Sequence, residues 1–189
     1  MAEKPAAEPA GPGGPPDQTT ISAGLLKIFG LGTLILGDSG IGKSESALEL
    51  VARGHQFVAD DVVQIRVSPK GDLTGTAPAL SRNFMEIRGL GIINIRAIFG
   101  PRAIAREAKV DLVIRLKKWR RGYEADRLGL KSGDDMAILG RNIPQLAIPV
   151  APGRNIATLI EVACKVHLLR QKGYSAPDEI IRRLDRVLT

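Results

Sequence analysis

The strongest chemical signal in the sequence is the run Gly37-Asp38-Ser39-Gly40-Ile41-Gly42-Lys43-Ser44. Its glycines let the backbone turn tightly and direct several N–H groups at phosphate oxygens. Lys43 supplies a positive charge for the terminal phosphates, and the Ser44 hydroxyl is a ligand for Mg²⁺. The run therefore predicts a P-loop that binds a nucleoside triphosphate or a related polyphosphate together with Mg²⁺. The alternative is a glycine-rich turn without a ligand.

Two adjacent carboxylates, Asp60 and Asp61, follow an apolar stretch about two dozen residues downstream of the glycine-rich run. At such a strand end one carboxylate can influence a bound metal ion through its charge, while the other accepts a proton from an attacking hydroxyl. Repulsion between like charges this close raises the pKa of one of the two carboxyl groups, which suits a base that works near neutral pH. By themselves the two residues could equally be a polar turn.

A third feature is the segment Met85-Glu86-Ile87-Arg88-Gly89, which continues to Asn94. In an extended chain Glu86 and Arg88 project to the same side, where they could face a metal–phosphate complex. The glycine after them lets the backbone come close to a ligand. A bulged strand with a surface ion pair explains the same pattern, and the spacing does not choose between the two.

Single basic residues elsewhere are harder to interpret. Arg127 and Arg154 lie in loop-like stretches, where each could stabilise phosphoryl charge or simply face solvent. His55 follows the predicted helix end at Gly54 and is expected to lie on the surface. No His, Cys and Asp spacing suggests a zinc site.

The elements that must position these residues follow from apolar periodicity and from turn residues. Apolar runs predict strands over residues 31–36, 57–59, 62–67 and 110–116, and apolar faces predict helices over residues 43–53, over residues 155–172 and from Ser175 onward. Along residues 110–116 the alternation places Val113 on the opposite face from Val110, Leu112 and Ile114. The fold class is therefore mixed α/β.

Composition limits the class of protein. The chain has 189 residues, 44% hydrophobic and 25% charged, which suits one globular domain. Residues 1–19 are rich in Pro, Gly and Ala and are expected to form a disordered leader before a folded domain over residues 20–189. No apolar run is long enough to cross a membrane, and one cysteine, Cys164, cannot form an internal disulfide, so we expect a cytoplasmic protein.

The net charge of +7 indicates an acidic or phosphorylated partner more than nucleic acid. The Arg and Lys residues are scattered and aromatic residues make up only 4% of the chain, so the basic–aromatic interleaving of a nucleic-acid surface is missing. We expect neither nucleic-acid nor membrane binding.

Four motifs together resemble bacterial HPr kinase/phosphorylase: GDSGIGKSE at residues 37–45, RGHxxVADD at 53–61, MEIRGLGIINI at 85–95 and PGRN at 152–155. The resemblance runs from about Ile21 to the C-terminus. It implies a P-loop-containing mixed sheet with flanking helices and a nucleotide-binding core like that of phosphoenolpyruvate carboxykinase.

The activity that the resemblance implies is phosphorylation of a seryl residue on the phosphocarrier protein HPr, with ATP or pyrophosphate as donor and Mg²⁺ as cofactor. The same enzymes run a phosphate-dependent phosphorolysis of phosphoseryl-HPr that yields pyrophosphate, and the pair of reactions regulates carbon metabolism. Members of this family are commonly hexamers, so a homo-oligomer is expected.

The resemblance also implies roles for individual residues. Lys43 would hold the β and γ phosphates, and Ser44 and Glu86 would bind Mg²⁺. Asp61 would accept the proton in the kinase direction and return it in phosphorolysis, with Asp60 beside it, although the sequence does not separate the two aspartates. Arg127 would be the catalytic arginine. The expected substrate and phosphate contacts are Arg88, Gly89, Ala151, Gly153 and Arg154.

The sequence departs from the family pattern in three places. Ser22 stands where the family usually has a histidine that assists the catalytic aspartate, and a serine cannot carry that positive charge. Ala151 replaces a usual basic residue, which could weaken binding of phosphate or of phosphoseryl substrate. The leader takes the place of the usual N-terminal domain, so the chain is expected to be a short family form or an excised catalytic domain.

Three hypotheses follow. The first is an active bifunctional HPr kinase/phosphorylase domain, the second a nucleotide-sensing interaction module that has lost turnover through Ser22 and Ala151, and the third a similar kinase of a different serine-bearing target. The first is favoured because a pure binding module would not need the full set of Lys43, Ser44, Asp60, Asp61, Glu86 and Arg127.

Overall fold

The structure, a computed structural model, describes residues 17–119 and 135–188. Arg127 and most of the predicted leader therefore lie outside the described residues. Gln18 and Thr19, which the sequence analysis assigned to the leader, belong to the first strand and pair with a neighbouring strand. The boundary of the folded part thus lies earlier than residue 20, because strand pairing overrides the polar character of these two residues.

Within the described residues, four α-helices and one 3₁₀ helix (Pro101–Ala103) accompany the strands. The helices are α1 Lys43–Ala52, α2 Ile95–Phe99, α3 Ile156–Gln171 and α4 Ala176–Leu188. The strands are β1 Gln18–Ser22, β2 Gly24–Ile28, β3 Leu31–Leu36, β4 Gln56–Ala59, β5 Val62–Val67, β6 Leu73–Thr76, β7 Phe84–Ile87, β8 Gly91–Asn94, β9 Glu107–Lys109, β10 Leu112–Lys118, β11 Met136–Ile138, β12 Arg141–Ile143 and β13 Gln145–Val150.

The central element is a five-stranded mixed sheet with the order β13-β10-β3-β2-β4. Strand β10 pairs in parallel with both β13 and β3, while β2 pairs antiparallel with β3 and β4. Every residue of β3 is buried, which is typical of a strand covered on both faces. This confirms the predicted mixed α/β class.

A second sheet and a helical layer cover the two faces of the mixed sheet. The antiparallel sheet β1-β5-β6-β9 shares one core with it, in which Leu25, Leu34 and Val63 are fully buried. Helices α1 and α3 pack on the opposite face of the mixed sheet, and this contact forms the other core, which contains Leu26 and Leu50. Because neighbouring residues of a strand point to opposite faces, adjacent leucines of β2 lie in different cores.

Double coverage of the sheet also explains the burial of both faces of β10. The predicted placement of Val113 on the opposite face from Leu112 and Ile114 is confirmed, and Val113 is fully buried in the core beside the antiparallel sheet. Val110 departs from the prediction, because it lies in the same core as Val113. Leu112 and Ile114 lie in the other core, beside the helices. The strand itself is displaced to Leu112–Lys118, since its pairing with β13 continues to Lys118.

A polar cluster joins the end of α1 to α3. The His55 imidazole Nε2 lies 2.8 Å from Glu161 Oε1, and Arg53 binds both Glu49 and Glu161. The expectation that His55 lies on the surface was wrong, since only 7% of it is exposed. Burial by itself raises the pKa of Glu161, but hydrogen bonds from His55 and Arg53 outweigh that effect and leave the pKa below its usual range.

Gly32 of β3 offers a test of the close approach between the two sheets. Its N–H donates to Asp111 Oδ2 at 2.9 Å, and a Cβ atom here would lie 1.6 Å from the carbonyl oxygen of Lys109. Because this neighbour is backbone, we expect Gly32→Ala to lower the free energy of unfolding by on the order of 3 kcal/mol. Urea denaturation followed by circular dichroism measures the change.

Gly24 is the matched control for this substitution. A Cβ on Gly24 would have its nearest neighbour at 3.7 Å, an ordinary van der Waals distance. We expect Gly24→Ala to change the unfolding free energy by less than about 0.5 kcal/mol. Equal denaturation midpoints for the two variants would contradict the close approach at Gly32.

Candidate functional site

A cleft of about 730 Å³ opens between the glycine-rich loop, the end of β4 and the β7–β8 hairpin. Residues from segments far apart in sequence line it, among them most of the predicted site. The predicted site residues in its wall are Ser22, Ser39, Gly40, Gly42, Lys43, Ser44, Asp60, Asp61, Glu86 and Arg88.

The glycine-rich loop connects β3 to α1, as the sequence predicts. Gly40 and Gly42 have φ angles of 74° and 103°, in the left-handed region that residues with a Cβ rarely adopt. The Lys43 ammonium donates hydrogen bonds to the carbonyl oxygens of Gly37 at 2.7 Å and Asp38 at 3.0 Å. These bonds hold the charged end of Lys43 at the loop, where an anion would meet both the ammonium and the N-terminus of α1.

The β7–β8 hairpin brings an acidic and a basic side chain to the same cleft. Glu86 pairs across the hairpin with Ile92, and both residues line the cleft. Arg88 follows the strand, and its guanidinium nitrogen lies 3.5 Å from where a Cβ of Gly40 would be. The predicted common side of Glu86 and Arg88 is therefore seen in the structure, with Arg88 reaching the glycine-rich loop.

The two aspartates differ sharply in environment. Asp60 is 8% exposed, and its Oδ1 has no hydrogen-bond partner within the described residues. Burial raises the pKa of Asp60, although hydrogen bonds from the Ser44 hydroxyl and the Asp61 N–H oppose the change. A carboxylate that is buried, partly unpaired and close to the loop has the properties of a proton acceptor.

Asp61 is exposed and has a φ angle of 66°. A non-glycine residue in this region costs on the order of 1 kcal/mol and persists only where its surroundings hold it. Here the Ala23 N–H donates to the Asp61 carbonyl oxygen at 3.0 Å, and the Val62 N–H donates to that of Asp60 at 2.8 Å. The reversal at Asp61 places the buried and the exposed carboxylate in the wall of one cleft.

Ser22 lies at the end of β1, where it pairs with Val62 of β5. The residue is exposed and lines the cleft beside the two aspartates. The structure thus places Ser22 at the site where the resemblance predicted it. A serine at this place carries no positive charge, unlike the histidine that the family pattern led us to expect.

Several predicted residues lie outside the cleft wall. The predicted residues that do not line it are Gly37, Asp38, Ile41, Gly89, Ala151, Gly153 and Arg154. The Arg154 guanidinium instead donates to the Pro149 carbonyl oxygen at 2.7 Å. The segment that contains residues 151–155 nevertheless ends beside the loop.

The contact between that segment and the loop runs through α3. The Ile156 side chain would lie 3.3 Å from a Cβ on Gly42. Asn155, which caps α3 by accepting from the Thr158 N–H, also donates to Glu49 of α1 at 2.8 Å. The start of α3 is therefore fixed against the helix that follows the loop.

Sequence reasoning missed the apolar part of the cleft. Leu80, Phe84 and Ile92 line it and are 94%, 42% and 76% exposed. Apolar residues in a sequence predict burial, so no signal in the sequence alone distinguishes these three from core residues. Their exposure beside a polar cleft is a property of the folded chain.

The oxygen atoms in the cleft fit Mg²⁺, which is commonly held by one or two carboxylates together with substrate phosphates. Ser44 offers a hydroxyl and Glu86 a carboxylate, whereas the unpaired Oδ1 of Asp60 is buried. Within residues 17–119 and 135–188 no group of three or more His, Cys, Asp and Glu side chains could hold a metal by itself. None of the helices that the structure describes has the length and apolar character needed to span a bilayer.

Comparison with known proteins gives a consistent result. Residues 16–184 match the family model described as the HPr Serine kinase C-terminal domain. The chain is 46% identical over 167 residues to the HPr kinase/phosphorylase of Caldanaerobacter subterraneus subsp. tengcongensis, which covers 88% of this chain and 54% of the relative. It is 45% identical over 170 residues to the enzyme of the same name from Bacillus subtilis, covering 90% and 54%.

A solved structure shows a similar fold. The HPr(Ser) kinase/phosphatase from Coxiella burnetii superposes with a TM-score of 0.76 at 35% sequence identity, covering 86% of this chain and 98% of that one. The chain spans about half the length of the curated relatives it matches.

Proposed function

Because the chain belongs to the family of HPr serine kinase C-terminal domains, we propose that it transfers phosphoryl groups to and from a seryl residue of HPr. In the kinase direction the donor is ATP or pyrophosphate. In the other direction inorganic phosphate attacks phosphoseryl-HPr and gives pyrophosphate. The observation that carries the proposal is the single cleft that unites Lys43, Asp60 and Glu86.

The loop Gly37–Ser44 acts in this proposal as a P-loop, within a nucleotide-binding core like that of phosphoenolpyruvate carboxykinase. Its position between β3 and α1 supports the assignment, as do the left-handed φ angles of Gly40 and Gly42. The catalytic domain in this proposal is the folded part of the chain, which begins with β1 and not at residue 20 as predicted, and the family match to residues 16–184 supports it.

Donor binding depends on charges that surround the loop. Lys43 of the loop and Arg88 beside Gly40 both line the cleft and would hold the polyphosphate through their positive charges. Mg²⁺ would be held by Ser44 and Glu86, where it neutralises charge that develops on the transferring phosphoryl group. These residues fix the donor with respect to the aspartates.

Asp60 is the carboxylate that moves the proton in this proposal. The resemblance suggested Asp61 and left the two aspartates open, and burial now favours Asp60 because it raises the pKa of this carboxyl group beside Ser44. In the kinase direction Asp60 takes the proton of the HPr seryl hydroxyl. In phosphorolysis the same carboxyl group returns the proton to the leaving serine oxygen.

The apolar residues of the cleft are consistent with a protein acceptor. A small phosphoacceptor would gain little from Leu80 or Ile92, whereas the surface around a seryl residue of a folded protein can pack against them. The roles predicted for Arg127, Gly89, Ala151, Gly153 and Arg154, and a homo-oligomer that is hexameric by resemblance, remain predictions.

One pair of reactions tests the proposed function. The chain is mixed with HPr, Mg²⁺ and ATP, and separately with phosphoseryl-HPr, Mg²⁺ and inorganic phosphate, and the mass of HPr is read in both. We expect HPr to gain one phosphoryl group in the first mixture and to lose it in the second, with release of pyrophosphate.

The negative outcomes are distinct from one another. Bound nucleotide without a mass change in either mixture would overturn the enzyme proposal and support a nucleotide-sensing module. Activity in the first mixture alone would indicate that Ala151 impairs phosphorolysis, and Ala151→Arg should then restore it. Phosphorylation of another serine-bearing protein but not of HPr would support the third hypothesis.

A further inference from the structure

Ser22 is a nucleophile in the cleft for which the proposed reaction has no use. It is exposed, it lines the same cleft as Lys43 and Asp60, and its hydroxyl makes no hydrogen bond with the described residues. We propose, resting on the proposed function, that Ser22 is a self-phosphorylation site: the chain transfers the γ-phosphoryl group of ATP to its own Ser22 Oγ.

The position of Ser22 is fixed by backbone pairing with the chain at and just after Asp61. Ser22 pairs with Val62, and the next residue, Ala23, donates its N–H to the Asp61 carbonyl oxygen at 3.0 Å. The Ser22 hydroxyl is thereby held at the wall that carries the aspartates, without a long side chain to order. An acceptor that is already held in place avoids the entropy cost of binding a separate substrate.

Other serines of the cleft fit the role less well. Ser39 and Ser44 belong to the loop that would hold the donor, and Ser44 already donates its hydroxyl towards Asp60. Ser81 lies in the turn before β7, where its carbonyl oxygen accepts from the Phe84 N–H at 3.0 Å. That turn is part of the hairpin wall, whereas Ser22 belongs to the strand that pairs with the chain immediately after Asp61.

The step balances with the groups present and the donor already proposed. The Ser22 oxygen forms a bond to the γ phosphorus, the bond from that phosphorus to the β–γ bridging oxygen breaks, and ADP leaves. The proton of the Ser22 hydroxyl passes to the carboxylate of Asp60, which lines the same cleft. Inorganic phosphate can reverse the transfer by attacking the phosphoseryl group, which yields pyrophosphate and free Ser22.

Phosphorylation at this place would change the cleft itself. A phosphoseryl group adds a charge of about −1.5 to −2 at neutral pH. Beside Asp60 and Asp61 that charge repels an incoming polyphosphate, so the modified chain is expected to bind ATP and HPr more weakly. Self-phosphorylation of Ser22 would therefore limit the phosphorylation of HPr until phosphate removes the group.

The test uses the full chain with Mg²⁺ and ATP and without HPr. Intact-mass spectrometry is expected to show the gain of one phosphoryl group, and peptide mapping to place it on Ser22. Ser22→Ala should abolish the gain, while Ser81→Ala, a matched cleft variant, should keep it. The initial rate per chain should not change over a tenfold range of chain concentration, because the transfer is intramolecular.

Removal of ATP followed by addition of inorganic phosphate should restore the original mass and release pyrophosphate. No gain in mass, a phosphoryl group mapped to another residue, or a gain that persists in Ser22→Ala would overturn the inference. A parallel mixture with HPr keeps the two proposals apart, since phosphorylated HPr beside an unmodified chain overturns only self-phosphorylation. No transfer to either protein overturns both.

Discussion

Replacing Lys43 with alanine is expected to lower the rates of HPr phosphorylation and of phosphorolysis by on the order of 10³-fold or more. The Lys43 ammonium lies at the loop through its bonds to the Gly37 and Asp38 carbonyl oxygens, so it would meet the terminal phosphates in both directions. The loss of this charge removes stabilisation from the transferring phosphoryl group. Steady-state rates measured from HPr mass provide the comparison.

Fold should survive this change, because the bond from Lys43 to Asp38 lies in an exposed part of the loop and no core contact is lost. Lys27→Ala is the matched control: Lys27 is an exposed lysine of β2 and does not line the cleft. We expect Lys27→Ala to retain the wild-type rates and both variants to unfold at similar urea concentrations. Lys43→Ala with near wild-type turnover would contradict the assignment of the loop as the phosphate site.

Replacing Asp60 with asparagine is expected to reduce kcat in both directions by about 10²- to 10⁴-fold, the usual contribution of a positioned base. Asn cannot accept the proton of the serine hydroxyl, although its shape is almost unchanged. The same change at Asp61 should have a clearly smaller effect, since Asp61 is exposed and lacks the burial that raises the pKa of Asp60. A larger loss in Asp61→Asn than in Asp60→Asn would move the base to Asp61.

Asp60→Asn is also expected to change how the stability of the chain depends on pH. That change distinguishes the loss of a base from misfolding of the site. The folded-state pKa of Asp60 is raised by burial, so the wild-type chain has its full stability below the unfolded-state pKa of about 3.9 and loses stability as the pH rises through the folded-state pKa. Asparagine does not ionise and avoids this loss.

The melting temperatures of the two proteins, measured without Mg²⁺, should therefore diverge as the pH rises. We expect the melting temperature of the Asp60→Asn variant to rise relative to that of the wild-type chain as the pH increases above the unfolded-state pKa of about 3.9. Parallel melting curves across this range would show that burial does not perturb Asp60.

The sequence by itself determined the place of the glycine-rich loop between β3 and α1 and the identity of the family. The glycines of residues 37–44 and the motif around Glu86 are local patterns, because each depends on which residue types can make a given turn or present a given charge. Turn chemistry and strand periodicity also predicted β3, β5, α1 and α3 to within a few residues. Such features are fixed by neighbours along the chain.

Only the tertiary structure decided which residues share an environment. Burial separated Asp60 from Asp61, although the two are identical side chains at adjacent positions. Coverage of the mixed sheet on both faces buried Val113, and the contact between α1 and α3 buried His55 against Glu161. The pairing of β1 with β5 brought Ser22 to the cleft. Each of these placements depends on residues from distant parts of the chain that pack against one another, and no local sequence pattern predicts such contacts.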